Sequence, residues 1–101
     1  MRNLALRWTD GDGDHTRALV AGATLSLGRD PGCDVVFDDL TISRRHAEIV
    51  EMDGRAYLRH LSRTNPTYVN GRATIGTVEL REGDQLWLPV VAVEVIGLES
   101  S

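Results

Sequence analysis

Groups suited to gripping an anion sit in three short, separated stretches of this chain. Leu27-Gly28-Arg29 offers a guanidinium. Ser43-Arg44-Arg45-His46 offers a hydroxyl, two more guanidiniums and an imidazole, and Thr64-Asn65-Pro66-Thr67-Tyr68-Val69-Asn70-Gly71 a hydroxyl and a carboxamide, with the Arg63 guanidinium just before them. A phosphate dianion needs hydrogen-bond donors for its oxygens and at least one full positive charge to offset its desolvation. Arg29 can supply the charged fork, Ser43 a compact hydroxyl and its own backbone N–H, and Thr64 a second hydroxyl. Asn65 carries both donor and acceptor, which suits the main chain of a bound peptide better than its phosphate. The chemistry works only if the loops bearing these groups converge.

The positive charge is of one kind. All eleven basic residues are arginine, and fifteen acidic residues bring the net charge to −4. A nucleic-acid binder usually rests its affinity on a basic face, so the acidic balance argues against that class. Between Leu40 and Arg72, however, six arginines meet only Glu48, Glu51 and Asp53, a local excess of +3. Such an excess suits one discrete anion, and the planar guanidinium fork matches phosphate oxygens better than an ammonium does. The absence of lysine also points to a GC-rich, bacterial genome.

At 101 residues, with 42% apolar and 26% charged, the chain reads as one soluble globular domain with a modest core. No apolar run approaches the roughly 18–20 residues that cross a bilayer, so no membrane insertion is expected. The first eight residues alternate and carry internal charge, unlike a secretory leader, which makes the cytoplasm the expected compartment. Cys33 is the single cysteine, leaving neither a disulfide framework nor a multi-cysteine metal site. Asp30 and Asp34 beside it work against a reactive thiolate.

Other chemistries find little support. His15 and His60 lack the clustered spacing of metal ligands. Asp10, Asp12 and Asp14 look like the start of a calcium loop, but Gly13 is misplaced and no bidentate Glu closes it, so a flexible acidic turn over Asp10–Asp14 is expected. Ser43 and His46 lack a G-x-S-x-G elbow and an orienting carboxylate, which argues against a hydrolase. The expectation is a chain without enzymatic activity, cofactor or metal.

Apolar residues recur at spacing two in short runs, the pattern of a many-stranded antiparallel fold. The expected strands are Leu4–Trp8, Arg17–Val20, Thr24–Leu27, Val35–Phe37, Ala47–Glu51, Ala56–Leu61, Thr67–Val69, Ala73–Ile75, Thr77–Leu80, Asp84–Leu88 and Val91–Ile96. Asp53-Gly54 and Asn70-Gly71 suit two-residue type I′ hairpin turns. Trp8, Phe37, Tyr57 and Trp87 are expected in or at the edge of the core. No helical period of ten residues stands out, so the architecture is all-β, most simply a sandwich of about eleven short strands. One domain is expected across 1–101, with a core of about residues 3–97. The closing Glu99-Ser100-Ser101 reads as a domain edge, as in a module of a longer protein.

At Gly28-Arg29, Ser43-Arg44-Arg45-His46, Asn65 and Asn70-Gly71 the chain resembles the forkhead-associated (FHA) family of phosphothreonine-binding domains. The order Gly-Arg, Ser-x-x-His, then Asn before an Asn-Gly turn runs from Leu27 to Gly71. Any one element is weak; together, in an all-β chain of this length, they are specific. The resemblance implies a sandwich with its binding loops at one end, acting in Ser/Thr kinase signalling. Its partner would be a phosphothreonine-containing protein or peptide, such as a Ser/Thr kinase or its substrate. It further implies that Arg29, Ser43 and Arg44 contact the phosphate with Thr64 assisting, and that Asn65 bonds the peptide main chain. His46 would be architectural, its ring fixing the Ser43 loop, and Gly28 and Gly71 would serve backbone geometry. Asn70 belongs to the hairpin. Arg63 would read an acidic residue C-terminal to the phosphothreonine.

One departure stands out: Asn65-Pro66-Thr67 replaces the family's usual Asn-Gly-Thr. Proline fixes φ and pushes Asn65 towards extended geometry, which either pre-organises its amide or displaces it; the intact Thr67–Gly71 run favours the first. The competing reading is an FHA-fold docking domain that binds without phosphate.

Overall fold

The computed structural model describes residues 2–74 and 76–99. Ile75, Ser100 and Ser101, named in the expectations above, lie outside them. Eleven strands and no helix are present among the described residues. They are β1 (Arg2–Asp10), β2 (Gly13–Ala18), β3 (Thr24–Gly28), β4 (Val35–Val36), β5 (Ala47–Met52), β6 (Arg55–His60), β7 (Tyr68–Val69), β8 (Arg72–Ala73), β9 (Thr77–Leu80), β10 (Gln85–Leu88) and β11 (Val91–Glu99). One sheet runs β2-β1-β11-β10-β7-β8 and the other β4-β3-β5-β6-β9. Period-two patterning makes the sandwich. Ala47 and Ile49, Ala56 and Leu58, Leu86 and Leu88, and Val91, Val93 and Val95 all face inward, and burying each larger aliphatic side chain stabilises the fold by roughly 1.5–3 kcal/mol.

Both expected hairpins form as type I′ turns, with φ of 54° and 81° at Asp53 and Gly54 and of 52° and 82° at Asn70 and Gly71. Three expectations are corrected. The first two strands are joined at Gly11-Asp12 and not by a flexible acidic loop. The Asp10 carboxylate accepts the Asp12 N–H and meets His15 Nε2, both at 2.8 Å, so side-chain bonds order a segment with no apolar rhythm. Trp87 and Tyr57 do not enter the core. Trp87 lies between inward Leu86 and Leu88 and is 48% exposed, and Tyr57 is half-buried between inward Ala56 and Leu58. Finally, β3 and β4 pair in parallel. Their short ladder is stapled by Asp34, whose carboxylate accepts the Ser26 N–H at 2.9 Å and the Ser26 hydroxyl at 3.0 Å.

The end of β3 is bound tightly to the segment before β5. A Cβ on Gly28 would stand 2.1 Å from the Arg44 carbonyl oxygen, so only glycine permits this approach. Arg29 N–H donates to the Ser43 carbonyl at 3.0 Å and Asp30 N–H to the Arg44 carbonyl at 3.1 Å. The buried Cys33 thiol donates to that same Arg44 carbonyl at 3.2 Å, a structural use of the lone cysteine.

His46, fully buried, ties this segment to the one after β6. Its Nδ1 accepts the Ser43 N–H at 3.1 Å, so the neutral ring carries its proton on Nε2, which donates to the Pro66 carbonyl at 3.3 Å. Its own carbonyl accepts the N–H groups of Leu61 and Ser62, each at 3.0 Å. Burial pushes the His46 pKa below 6.5, the Pro66 bond opposes this, and neighbouring His60 adds to the lowering.

Two outcomes follow from these contacts. Gly28→Ala is expected to destabilise the fold by about 1–3 kcal/mol or more, because the clash is with backbone that cannot swing aside; urea denaturation measures it. For His46, the unfolded chain titrates near 6.5 and takes up a proton that the folded protein resists. The stability held by the neutral ring is therefore complete above that pH and is lost as pH falls below it towards the lower folded pKa. Urea titrations at descending pH are expected to show this decline, and His46→Gln to be less stable at neutral pH with a flatter slope.

Candidate functional site

Loops 29–34, 37–46 and 61–67 meet through side chains that sequence reasoning had placed in separate stretches. The Ser43 hydroxyl oxygen is 2.6 Å from that of Ser62 and 3.3 Å from that of Thr64, although Thr64 is 21 residues further along the chain. Ser62 and Thr64 hydroxyls are 3.4 Å apart. Arg29 lies along the same turn: its Nε donates to the carbonyl of Ile42, the residue before Ser43, at 3.1 Å. That bond anchors the side chain at mid-length and leaves the end of the guanidinium fork for another partner.

Local chemistry explains the loop shapes. Asp39 accepts both the N–H and the hydroxyl of Thr41, bonds that hold its carboxyl below the ordinary carboxylate range and close the turn before Ile42. Ser62 plays a similar part in its loop, accepting the N–H groups of Thr64 at 3.3 Å and Asn65 at 3.2 Å. Asn65 then bridges the two loops, its Nδ2 donating to the Thr41 carbonyl at 2.6 Å. With Pro66 the Asn65 side chain is thus held by the protein, and its Oδ1 and second amide proton remain. The Asn65–Pro66 peptide is trans.

Two expectations change here. The Ser43 N–H, counted as a ligand donor, is committed to His46. Asn65, expected to bond the peptide main chain, has one donor committed to Thr41. The structure brings Arg29, Ser43, Thr64 and Asn65 into one neighbourhood, with Gly28 and His46 supporting it from below. Arg44 and Arg63 are exposed on the flanking loops. Asn70 and Gly71 do not join them. The Asn70 side chain donates to Asp84 at 2.9 Å and accepts the Gln85 N–H at 3.0 Å, clamping the β7–β8 hairpin to β10.

Sequence reasoning missed Ser62, Thr41 and Ile42. Ser62 was legible in principle, since a Ser followed two and three residues on by loop N–H groups is a common turn cap. Thr41 and Ile42 act through main-chain carbonyls, for which no residue type gives a signal.

The electrostatics sort the arginines. Arg7 pairs with Glu94, Arg17 with Asp34 at 3.9 Å, Arg59 with Glu48 at 2.6 Å and Arg81 with Glu79 at 4.0 Å. Among the described residues no carboxylate comes within ion-pair reach of Arg29, Arg44 or Arg63, nor of Arg45, Arg55 or Arg72, and of these Arg29, Arg44 and Arg63 lie on the converging loops. An anion arriving beside the three hydroxyls would meet positive charge that the protein has left unneutralised. Among the described residues there is also no cluster of three metal-ligating side chains.

Comparison with known proteins agrees with this arrangement. A family model described as the FHA domain matches residues 25–89, the span that holds all three loops. The chain is 38% identical over 71 residues to the glycogen accumulation regulator GarA of Mycolicibacterium smegmatis, a match covering 70% of this chain and 44% of that protein. It spans less than half the length of the curated relatives it matches. Among solved structures, the FHA domain of CT664 from Chlamydia trachomatis superposes with a TM-score of 0.86 at 26% identity, covering 93% of this chain and 96% of that one. An FHA domain from a structural and functional study of phosphothreonine-dependent FHA interactions gives a TM-score of 0.82 at 31% identity, covering 93% and 95%. With the family model covering more than half its length, this chain belongs to the FHA domain family.

Proposed function

We propose that the chain is a binding module that grips a phosphothreonine on a partner protein, such as a Ser/Thr kinase or its substrate, within a phosphorylation pathway. The observation that carries this reading is the gathering of the Ser43, Ser62 and Thr64 hydroxyls beside the anchored Arg29, which meets no carboxylate among the described residues. Arg29 supplies the charged, bidentate-capable contact, and Ser43 and Thr64 donate to the remaining oxygens. Arg44 adds charge from the flank. The Asn65 carboxamide, held by Thr41, offers its remaining groups to the peptide main chain. Arg63, exposed and next to Thr64 in the chain, would read an acidic residue following the phosphothreonine. Binding and release are the whole of the action: the module catalyses nothing, needs no cofactor, and works in the cytoplasm as one domain. Its likeness to FHA domains that engage phosphothreonine supports the reading.

A second reading is docking without phosphate through the outer face of the larger sheet. Trp87 and Tyr68, paired across β10 and β7, are 48% and 39% exposed there. Phosphatase treatment separates the two readings, because a complex formed by that face survives it.

An unbiased phosphothreonine peptide library, screened against wild type and Arg29→Ala, tests the site. Arg29→Ala is expected to weaken binding of a selected peptide by roughly 2–4 kcal/mol, the loss of a charge-assisted contact. Superimposable titrations of the two proteins would remove Arg29 from the site. Arg63→Ala is expected to leave phosphate dependence intact while erasing any preference for acidic residues after the phosphothreonine.

A further inference from the structure

We propose that Ser62 sets the direction in which the Ser43 hydroxyl donates, making it a positioning residue of the site; the inference rests on the phosphate reading above. Three hydroxyls within 2.6–3.4 Å of one another hold three protons between them. Whether the cluster donates to an anion or closes on itself depends on where each proton points.

Ser62 breaks the symmetry. Its oxygen accepts two backbone N–H groups, those of Thr64 and Asn65, which fill its two lone pairs. Ser62 is left as a donor only, and its nearest acceptor is Ser43 Oγ at 2.6 Å, well inside the 3.4 Å to Thr64. Ser43 Oγ therefore receives the Ser62 proton and must aim its own elsewhere. In the free protein the Thr64 oxygen at 3.3 Å can take it. A phosphate oxygen, being charged, is the stronger acceptor and displaces that long bond.

The bonds run from the Asn65 and Thr64 N–H groups through Ser62 to Ser43. Each polarises the next, so Ser43 donates more strongly than an isolated serine would. The same two N–H bonds order residues 62–65, so a purely structural role for Ser62 must be separated from the directing one.

A double-mutant cycle separates them, using a phosphothreonine peptide selected from the library and calorimetric titration of wild type, Ser43→Ala, Ser62→Ala and the double variant. Each single substitution is expected to weaken binding about tenfold, the scale of one hydrogen bond. The double variant is expected to bind no worse than Ser43→Ala, because Ser62 acts through Ser43. Ser62→Thr, which retains the hydroxyl, is expected to restore most of the affinity. Losses that multiply in the double variant would overturn the proposal and leave Ser62 as an independent loop-ordering residue. Wild-type affinity in Ser62→Ala would overturn it as well. Were wild type to bind phosphorylated and unphosphorylated peptides equally, the phosphate reading would fall first; Arg29→Ala distinguishes that failure, since its effect is independent of Ser62. Thermal melts of the same samples identify unfolding, and Ser62→Cys, a weak donor of similar shape, replaces Ser62→Ala in the cycle if that variant does not fold.

Discussion

The contact between Gly28 and the Arg44 carbonyl governs how the site is assembled. With no Cβ at Gly28, the end of β3 packs directly against the main chain of residues 43–45. Arg29 and Asp30 N–H groups and the Cys33 thiol all bond into that stretch. The Arg29 side chain therefore leaves the backbone at a fixed place relative to Ser43, and its Nε is held again by the Ile42 carbonyl. A side chain anchored at both ends of its stem has little rotamer freedom left to lose when it meets a ligand.

His46 extends the same rigidity to the third loop. Its ring accepts from Ser43 and donates to Pro66, while its carbonyl takes the Leu61 and Ser62 N–H groups. Four bonds at one buried residue bring two loops into register, and the one that Nδ1 accepts from the Ser43 N–H requires a neutral ring. His60 stacks edge-on against it at 5.7 Å and bonds Thr67, so the support beneath the hydroxyls is itself a connected polar network. Among the described residues no buried side-chain polar atom is left without a partner, the condition under which such a network rigidifies instead of destabilising.

The division of donors also has a direction. The Ser43, Thr64 and Asn65 N–H groups are committed internally, as is one amide proton of Asn65. The groups left for a ligand are the end of the Arg29 fork, the Ser43 and Thr64 hydroxyls, joined only by a long mutual bond, and the rest of the Asn65 carboxamide. Elsewhere Arg7, Arg17, Arg59 and Arg81 are neutralised by carboxylates.

Much was legible in the residues. Period-two alternation located most strands in outline, since one buried face requires it, but put the second at Arg17–Val20 where β2 runs Gly13–Ala18; Asp-Gly and Asn-Gly named the hairpins because such residues accept positive φ cheaply. The types and order of Arg29, Ser43, Thr64 and Asn65 singled out the loops that the fold brings together. Less visible were the outward turn of Trp87, set by the inward faces of Leu86 and Leu88, and the β1–β2 hairpin, held by Asp10 and His15 without apolar rhythm. What tertiary structure decided was which donors remain available. Whether Ser43 offers its N–H or only its hydroxyl, and whether Asn65 is free or tied to Thr41, depends on carbonyls and ring nitrogens brought from distant positions. Local sequence specifies what a side chain can donate; only packing specifies what it has already given away.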